Sequence, residues 1–426
     1  MPTTVANRLA LAKEVWDSDT MAKQFYDACP WLDMIEKRQR QVIGKRAQVP
    51  VHTDRAGGTT VFSSAGSSGV TPGVDAINNS GAEVVNQAQY NMAYNYFPVG
   101  FQVGALNEIT GGASSVGDSF EHTISAGIKN TRNHITRQFL TGHGRIAWCG
   151  TSGGSLTIEL ATPAETPAGE VSGYHALGMG WIVADDRLQV GTIADPDGLT
   201  ANNLVTSYVE SETDPDVVTT GTSITTSLGT GHAVRLASNG TSVPTVESSG
   251  LVDMFGTSGN TVGAISGASV SRWNPALVDN ATTIPDLEFL LKMSRRVGKK
   301  VEDGELFVLT SLAQLDAIYS FLQAQVRFAG DKELGAGGSE QVKWRGQTLH
   351  AFPQVPDNFL FYVPMGDLEV VVGKYQKPTW LSDLHGSGML RDPRQTVFED
   401  TVMYALGLAA RRRNSGAGAT NLSATV

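Results

Sequence analysis

Residues able to do chemistry are sparse in this chain of 426 residues and poorly spaced for it. Gly150-Thr151-Ser152-Gly153-Gly154 fits G-x-S-x-G, the nucleophile elbow of serine hydrolases. The elbow needs a strand, a sharp turn and then a helix, so that the serine Oγ stands exposed. Here the turn runs into Ser155-Leu156-Thr157-Ile158-Glu159-Leu160, which alternates like a strand, and glycine beside serine is expected by chance among 47 glycines. Gly335-Ala336-Gly337-Gly338 lacks the G-K-[ST] ending with which a loop cradles phosphate. His122 and His134 stand twelve apart, not at ligand spacing on one helix turn, and Cys29 and Cys149 form no C-x-x-C pair. Asn239-Gly240-Thr241 fits a glycosylation acceptor but has no secretory leader to give it meaning. Arg411, Arg412 and Arg413 could touch a nucleic-acid backbone, yet three arginines at a strand end read first as a solvated terminus. No catalytic residue, cofactor or metal site is implied, and a chain of this length without a reactive constellation points to a structural role.

Composition narrows the classes further. A net charge of -10 argues against a protein that grips nucleic acid through its overall charge. The opening segment, Met1 to Trp16, lacks a basic leader with an apolar run, and no run of about 18 apolar residues occurs. No membrane partner is expected, and the expected compartment is cytoplasm-like.

The elements around these residues are more informative. Val116, Phe120, Ile124, Ile128, Ile135 and Phe139 recur at helical period, which predicts a long helix over 114–142. Ser115 with Asp118 suggests its capping box, and Gly142 its end. Its interior is rich in indifferent helix formers such as Thr123, Gly127 and Asn130, so packing on a sheet must hold it. Residues 3–28 read as another helix stopped by Pro30, and its Trp16 and Phe25, with Trp31 beyond, need a surface to lie on, in their own domain or a neighbouring copy. Tyr90, Met92, Tyr94 and Tyr96 alternate with small and polar residues, the signature of a strand with one aromatic face. Its partner is the 41–54 segment, and between them lies a Gly/Ser-rich tip containing Phe62. A ribbon of that reach is marginal alone in water, so it should gain stability by lying on another chain. Trp16, Phe25, Trp31, Phe62, Tyr90, Met92, Tyr94 and Tyr96 are thus the candidate subunit-interface residues.

Residues 155–270 are rich in Thr, Ser, Val and Gly, and from 155 to 272 thirteen acidic residues face Arg187, Arg235 and Arg272. This reads as an independent, acidic all-β insertion. From Thr283 the pattern is α/β: a helix opening at Thr283-Ile284-Pro285 with Leu287, Leu290, Leu291 and Val297 buried, an apolar strand, and a helix capped by Ser311 and Gln314. The last long strand puts Phe398, Val402, Tyr404, Leu406 and Leu408 on one face, a candidate for the sheet beneath the long helix.

This order, with Arg137-Gln138-Phe139-Leu140-Thr141-Gly142 ending the long helix and a final strand running into arginines, resembles the major capsid protein of tailed bacteriophages, the Hong Kong ninety-seven type fold. The resemblance covers roughly 1–150 and 280–413. It implies an α+β fold with an N-terminal arm (1–45), an extended loop (46–98), a peripheral domain (99–150 and 379–426) carrying the spine helix, and an axial domain (283–378). The 155–270 insertion is a departure from the basic fold. The implied function is self-assembly into an icosahedral shell enclosing phage double-stranded DNA, in a virion assembled in the host cytoplasm. The implied partners are further copies of itself in pentamers and hexamers, portal, scaffolding and decoration proteins, and the packaged DNA. No enzymatic activity is implied. An encapsulin-like cellular shell is the alternative, and a serine hydrolase built on Gly150–Gly154 a more distant one.

Overall fold

The computed structural model describes residues 30–52, 85–102, 113–142, 144–150, 156–162, 165–167, 169–173, 176–184, 186–192, 203–210, 216–221, 232–236, 248–270, 273–279, 284–298, 306–325, 343–344, 347–373, 379–381, 390–391 and 397–423. Strands dominate a mixed α+β architecture. The expected helix over 3–28 lies outside these residues; Pro30 opens a short helical turn, Pro30–Asp33.

After that turn come β1 (Glu36–Gln39), β2 (Val42–Ile43) and β3 (Arg46–His52), followed by β4 (Val85–Asn91) and β5 (Ala93–Gln102). In β3 the inward residues Ala47, Val49 and Val51 alternate with outward ones, as a half-buried strand requires. β3 and β4 pair antiparallel from Arg46↔Asn91 to His52↔Val85, the ribbon expected from the sequence. The expected single strand through Tyr96 is broken at Met92, however. β4 stays with β3, while β5 crosses to another sheet and pairs with the long C-terminal strand.

Helix α1 (Ala113–Leu140) is the spine. Its described residues begin at Ala113, so Ser115 falls inside it, with its side chain outside the described residues. Ile128, Ile135, Phe139 and Leu140 form its buried face. Two of its threonines turn their hydroxyls onto the helix itself: Thr131 and Thr136 donate to the carbonyls of Gly127 and Arg132, each at 2.9 Å. The helix ends at Gly142, whose φ of +70° suits glycine.

Six strands follow: β6 (Arg145–Trp148), β7 (Thr157–Glu159), β8 (Arg187–Thr192), β9 (Asn203–Val209), β10 (Val217–Thr220) and β11 (His232–Leu236). They pair in the order β6-β11-β8-β9-β10-β7. A bridge between Cys149 and Leu160, just past β6 and β7, joins the two edges, so the sheet closes into a small barrel. Ile146, Ile158, Leu188, Val190, Val205, Val218 and Val234 are buried in it. Closure takes residues 145–148, outside the 155–270 segment read from composition. The end of that segment lies elsewhere: a one-turn π-helix (Val252–Gly256) packs against Gly416 and Gly418, and the hairpin β12 (Thr261–Val262) to β13 (Ile265–Ser266) packs against Ala88 and Tyr90. One apolar cluster runs through barrel, ribbon root and spine, so the barrel is built into the body of the chain.

The remaining elements are β14 (Ala276–Asp279), α2 (Leu287–Gly298), β15 (Leu306–Thr310), α3 (Leu312–Gln325), β16 (Lys343–Trp344), β17 (Gln347–Ala351), β18 (Leu360–Pro364), β19 (Leu368–Val372), β20 (Thr379–Trp380), β21 (Leu390–Arg391), β22 (Val397–Ala410) and β23 (Ala417–Thr420). Asp286 caps α2 by accepting the Phe289 N–H at 2.7 Å, and Phe289 and Met293 share the buried face with Leu290 and Val297. Half of the capping box at α3 forms: Ser311 Oγ accepts the Gln314 N–H at 3.2 Å, while the Gln314 amide turns away to the Asp357 carbonyl. The α/β sheet runs β14-β23-β18-β15-β17-β16 and so recruits 417–420 from the C-terminal region. The spine's sheet has the order β1-β19-β22-β20, with β5 and β21 also on β22; it takes 36–39 from the arm region and 368–372 from the axial region.

Candidate functional site: the root of the loop and its anchors

The residues expected to meet a neighbouring copy cluster at the ribbon root, and several are spent inside the chain. Tyr90 is buried; its O–H donates to the Ala410 carbonyl at 2.8 Å, and burial pushes its phenol well above its ordinary pKa. Met92 is buried against Gly407, where a Cβ would stand 3.0 Å from the Met92 sulfur. Trp31 is buried as well. These three are therefore corrected from interface to core. The aromatic face of the ribbon turns inward, onto the C-terminal strand and the β12–β13 hairpin. Gln89 N–H donates to the Gly263 carbonyl at 2.8 Å, and the turn residue Gly263, at φ +61°, lies against Ala88 and Tyr90. Tyr94 is half-buried, its O–H reaching the Gly44 carbonyl at 3.4 Å. Tyr96 lies on β5 opposite Met403, with its side chain outside the described residues, as are Trp16, Phe25 and Phe62.

The terminal arginines hold the other side of this root, and here the reading of a solvated terminus is overturned. Arg413 is fully buried. Its Nε donates to the Met254 carbonyl, and Nη2 donates to the carbonyls of Asp253, at 3.1 Å, and Thr257 and to Asn260 Oδ1 at 2.6 Å. Burial lowers its pKa to about 10. Arg411 donates to the buried Glu369 at 3.0 Å, and Arg40 takes the same carboxylate in a two-pronged grip at 2.9 and 2.6 Å. That shared carboxylate ties the strand leaving the arm region to the last long strand. No local sequence signal marks either anchor, because the acceptors lie more than 150 residues from Arg413, and Glu369 lies 42 residues from Arg411 and 329 from Arg40.

A third cluster sits where the spine meets the barrel. Gly142 and Gly250 bring two backbones together; a Cβ on either would collide with the other's chain. Beside them Arg145 pairs with Asp253 at 3.3 Å. Glu170 faces Arg145, Arg235 and Asp253; burial raises its pKa against the pull of the two arginines.

Elsewhere, Gly150 N–H donates to the Glu159 carbonyl at 2.8 Å, and the first described element after the G-x-S-x-G stretch is strand β7, where an elbow requires a helix. Ser152 itself, Gly335–Gly338, Asn239–Thr241 and the His122 side chain lie outside the described residues, while His134 is half-buried on the spine. Burial pushes the Cys149 thiol up to about 12, which makes it a poor nucleophile. Among the described residues no cluster of three His, Cys, Asp or Glu could hold a metal, and no helix is long and apolar enough to cross a membrane.

The architecture is thus of the α+β class, with a spine helix on a sheet, an anchored ribbon, an α/β sheet and a barrel. No protein-family model and no curated protein matches the chain. Among solved structures it is similar to the capsid asymmetric unit of cyanophage A-1(L), at 11% identity over 92% of this chain and 93% of that one, with a TM-score of 0.45. It is also similar to a chain of the satellite phage P4 procapsid (9% identity, 96% and 91% covered, TM-score 0.45) and to the encapsulin complex of Synechococcus elongatus (10% identity, 93% and 88% covered, TM-score 0.41). Likeness this distant carries no argument about activity.

Proposed function

We propose that the chain is the structural subunit of a closed icosahedral shell of the phage capsid kind, enclosing double-stranded DNA, and not an enzyme. The observation that carries the reading is the ribbon root. β3 and β4 are fixed in the core by Ala47, Val49, Val51, Ala88 and Tyr90, while residues 53–84 between them have Phe62 as their single aromatic and little else large to bury. A segment so poor in apolar groups gains little by folding onto its own chain, and laying it on a neighbour multiplies contacts per subunit. Contacts between unlike patches of identical copies generate rings, and rings at five- and six-fold positions close a shell. The spine on its mixed sheet, with anchors drawn from both chain ends, supplies the stiff body such a device needs.

Portal, scaffolding and decoration proteins are the expected partners, with the virion as the place of work. The acidic insertion belongs on the outer surface, since its carboxylates would be repelled by packaged DNA. Cryo-electron microscopy of the expressed chain tests the reading. Closed shells with the barrel outermost are expected; tubes or trimers would point to a tail or fibre component, and shells filled with a protein cargo to a cellular compartment.

A further inference from the structure

Two exposed strand ends carry the same mixture of apolar and charged groups with opposite sign. The first is the turn between β2 and β3. Gly44, at φ +63°, reverses the chain, and Ile43 stands 56% exposed opposite Arg46. Lys45 and Arg46 are exposed beside it, and neither is ion-paired among the described residues; Arg46 donates only to the neutral Gln89. The tip is held in place, because the Lys45 carbonyl accepts the Met92 N–H at 2.9 Å and the Gly44 carbonyl accepts the Tyr94 O–H. Segment 36–46 sets Lys37, Arg38, Arg40, Lys45 and Arg46 against Glu36 alone, in a chain of net charge -10.

The second is the end of β9 on the barrel. Tyr208 is 45% and Val209 63% exposed, and the exposed Glu210 follows. Val209 lies opposite Val217, which lies opposite Glu159, so an apolar pair runs to one carboxylate across the sheet while Glu210 follows Val209 along the chain. A β-branched residue in water beside charge, on a strand end fixed by its ladder, has the make-up of a contact surface. A phosphate backbone would use Lys45 and Arg46 but leave Ile43 wet. A protein face offering valine, tyrosine and a carboxylate uses all three.

We propose that the Ile43–Arg46 tip of one copy docks on the Tyr208–Glu210 strand end of a neighbouring copy. The two patches differ, so the contact is heterologous, and unlike charge sets its register. This inference rests on the shell-forming reading above. Its test is charge reversal with rescue. The Lys45→Glu/Arg46→Glu variant, folded by circular dichroism, is expected to lower particle yield by on the order of tenfold, since like charges across an interface are costly, and adding Glu210→Lys should recover part of it. Copies carrying Ile43→Cys mixed with copies carrying Val209→Cys should form an intermolecular disulfide on oxidation. Wild-type-like shells from the double reversal, without the 43–209 disulfide, would overturn the docking and leave the shell reading intact. Normal shells that retain less nucleic acid would assign the tip to phosphate and also overturn it. A wild-type chain that never assembles would sink the shell reading itself, while the disulfide would still decide the docking.

Discussion

Replacing Arg413 by methionine gives the sharpest test of how this chain is held together. The guanidinium donates to the carbonyls of Asp253, Met254 and Thr257 and to Asn260 Oδ1, and no part of it reaches solvent. Methionine keeps much of the volume but donates nothing, leaving four buried oxygens without this donor. Each stranded polar group costs about 1–3 kcal/mol, and breaking a buried charge-assisted network typically costs about 3–5 kcal/mol in all, because the separate losses do not simply add. The predicted loss is therefore about 3–5 kcal/mol, read as a lowered urea midpoint at unchanged slope on the unassembled chain. Arg413→Lys should recover only a minor part, since one ammonium cannot reach acceptors spread over four residues. Hydrogen exchange should quicken first over 252–262, and the ribbon root should loosen next because Gln89 bonds to Gly263. A loss below about 1 kcal/mol would refute the reasoning, for it would mean that desolvating the arginine offsets nearly all that its bonds contribute.

The same contacts set four further outcomes. Tyr90→Phe, which deletes only the bond to Ala410, should cost about 0.5–1.5 kcal/mol in urea denaturation, provided the ring keeps its place. Gly142→Ala should leave little folded protein by circular dichroism, because the residue combines φ +70° with contact to Asp253 and Gly250. Glu170 has a folded pKa raised above its unfolded value of 4.5, so its contribution is fully present below that pH and is lost as pH rises through the raised value. Glu170→Gln should thus raise the midpoint at pH 7 and flatten the pH profile above 4.5, as differential scanning calorimetry can check. Ser152→Ala should leave shell yield unchanged, and ester hydrolysis lost with it would revive the hydrolase reading.

Much of the frame was legible because it is written in periods. Ile128, Ile135 and Phe139 on α1, the alternation of Val402, Tyr404, Leu406 and Leu408 on β22, and the pairing of 46–52 with 85–91 all follow from local spacing. The break at Met92 was not legible, since Tyr90, Met92 and Tyr94 alternate without interruption; what divides them is competition between β3 and β22 for partners. Nor could the sequence reveal that Arg413 is buried and that Arg411 is held by Glu369. A run of three cations looks solvated until acceptors at 253–260 and a shared carboxylate at Glu369 come from distant segments. Barrel closure depends likewise on the Cys149–Leu160 bridge, whose two sides are separated in sequence by a glycine-rich stretch that reads locally as a catalytic motif. In each case local pattern placed the element, and long-range satisfaction of polar groups decided where it went.

Sedimentation velocity of the purified wild-type chain tests the central claim most directly. The account predicts a discrete, very fast boundary from closed particles, in equilibrium with slower capsomer-sized species. A single slow boundary of compact 45.2 kDa monomer at all accessible concentrations and salts would contradict it.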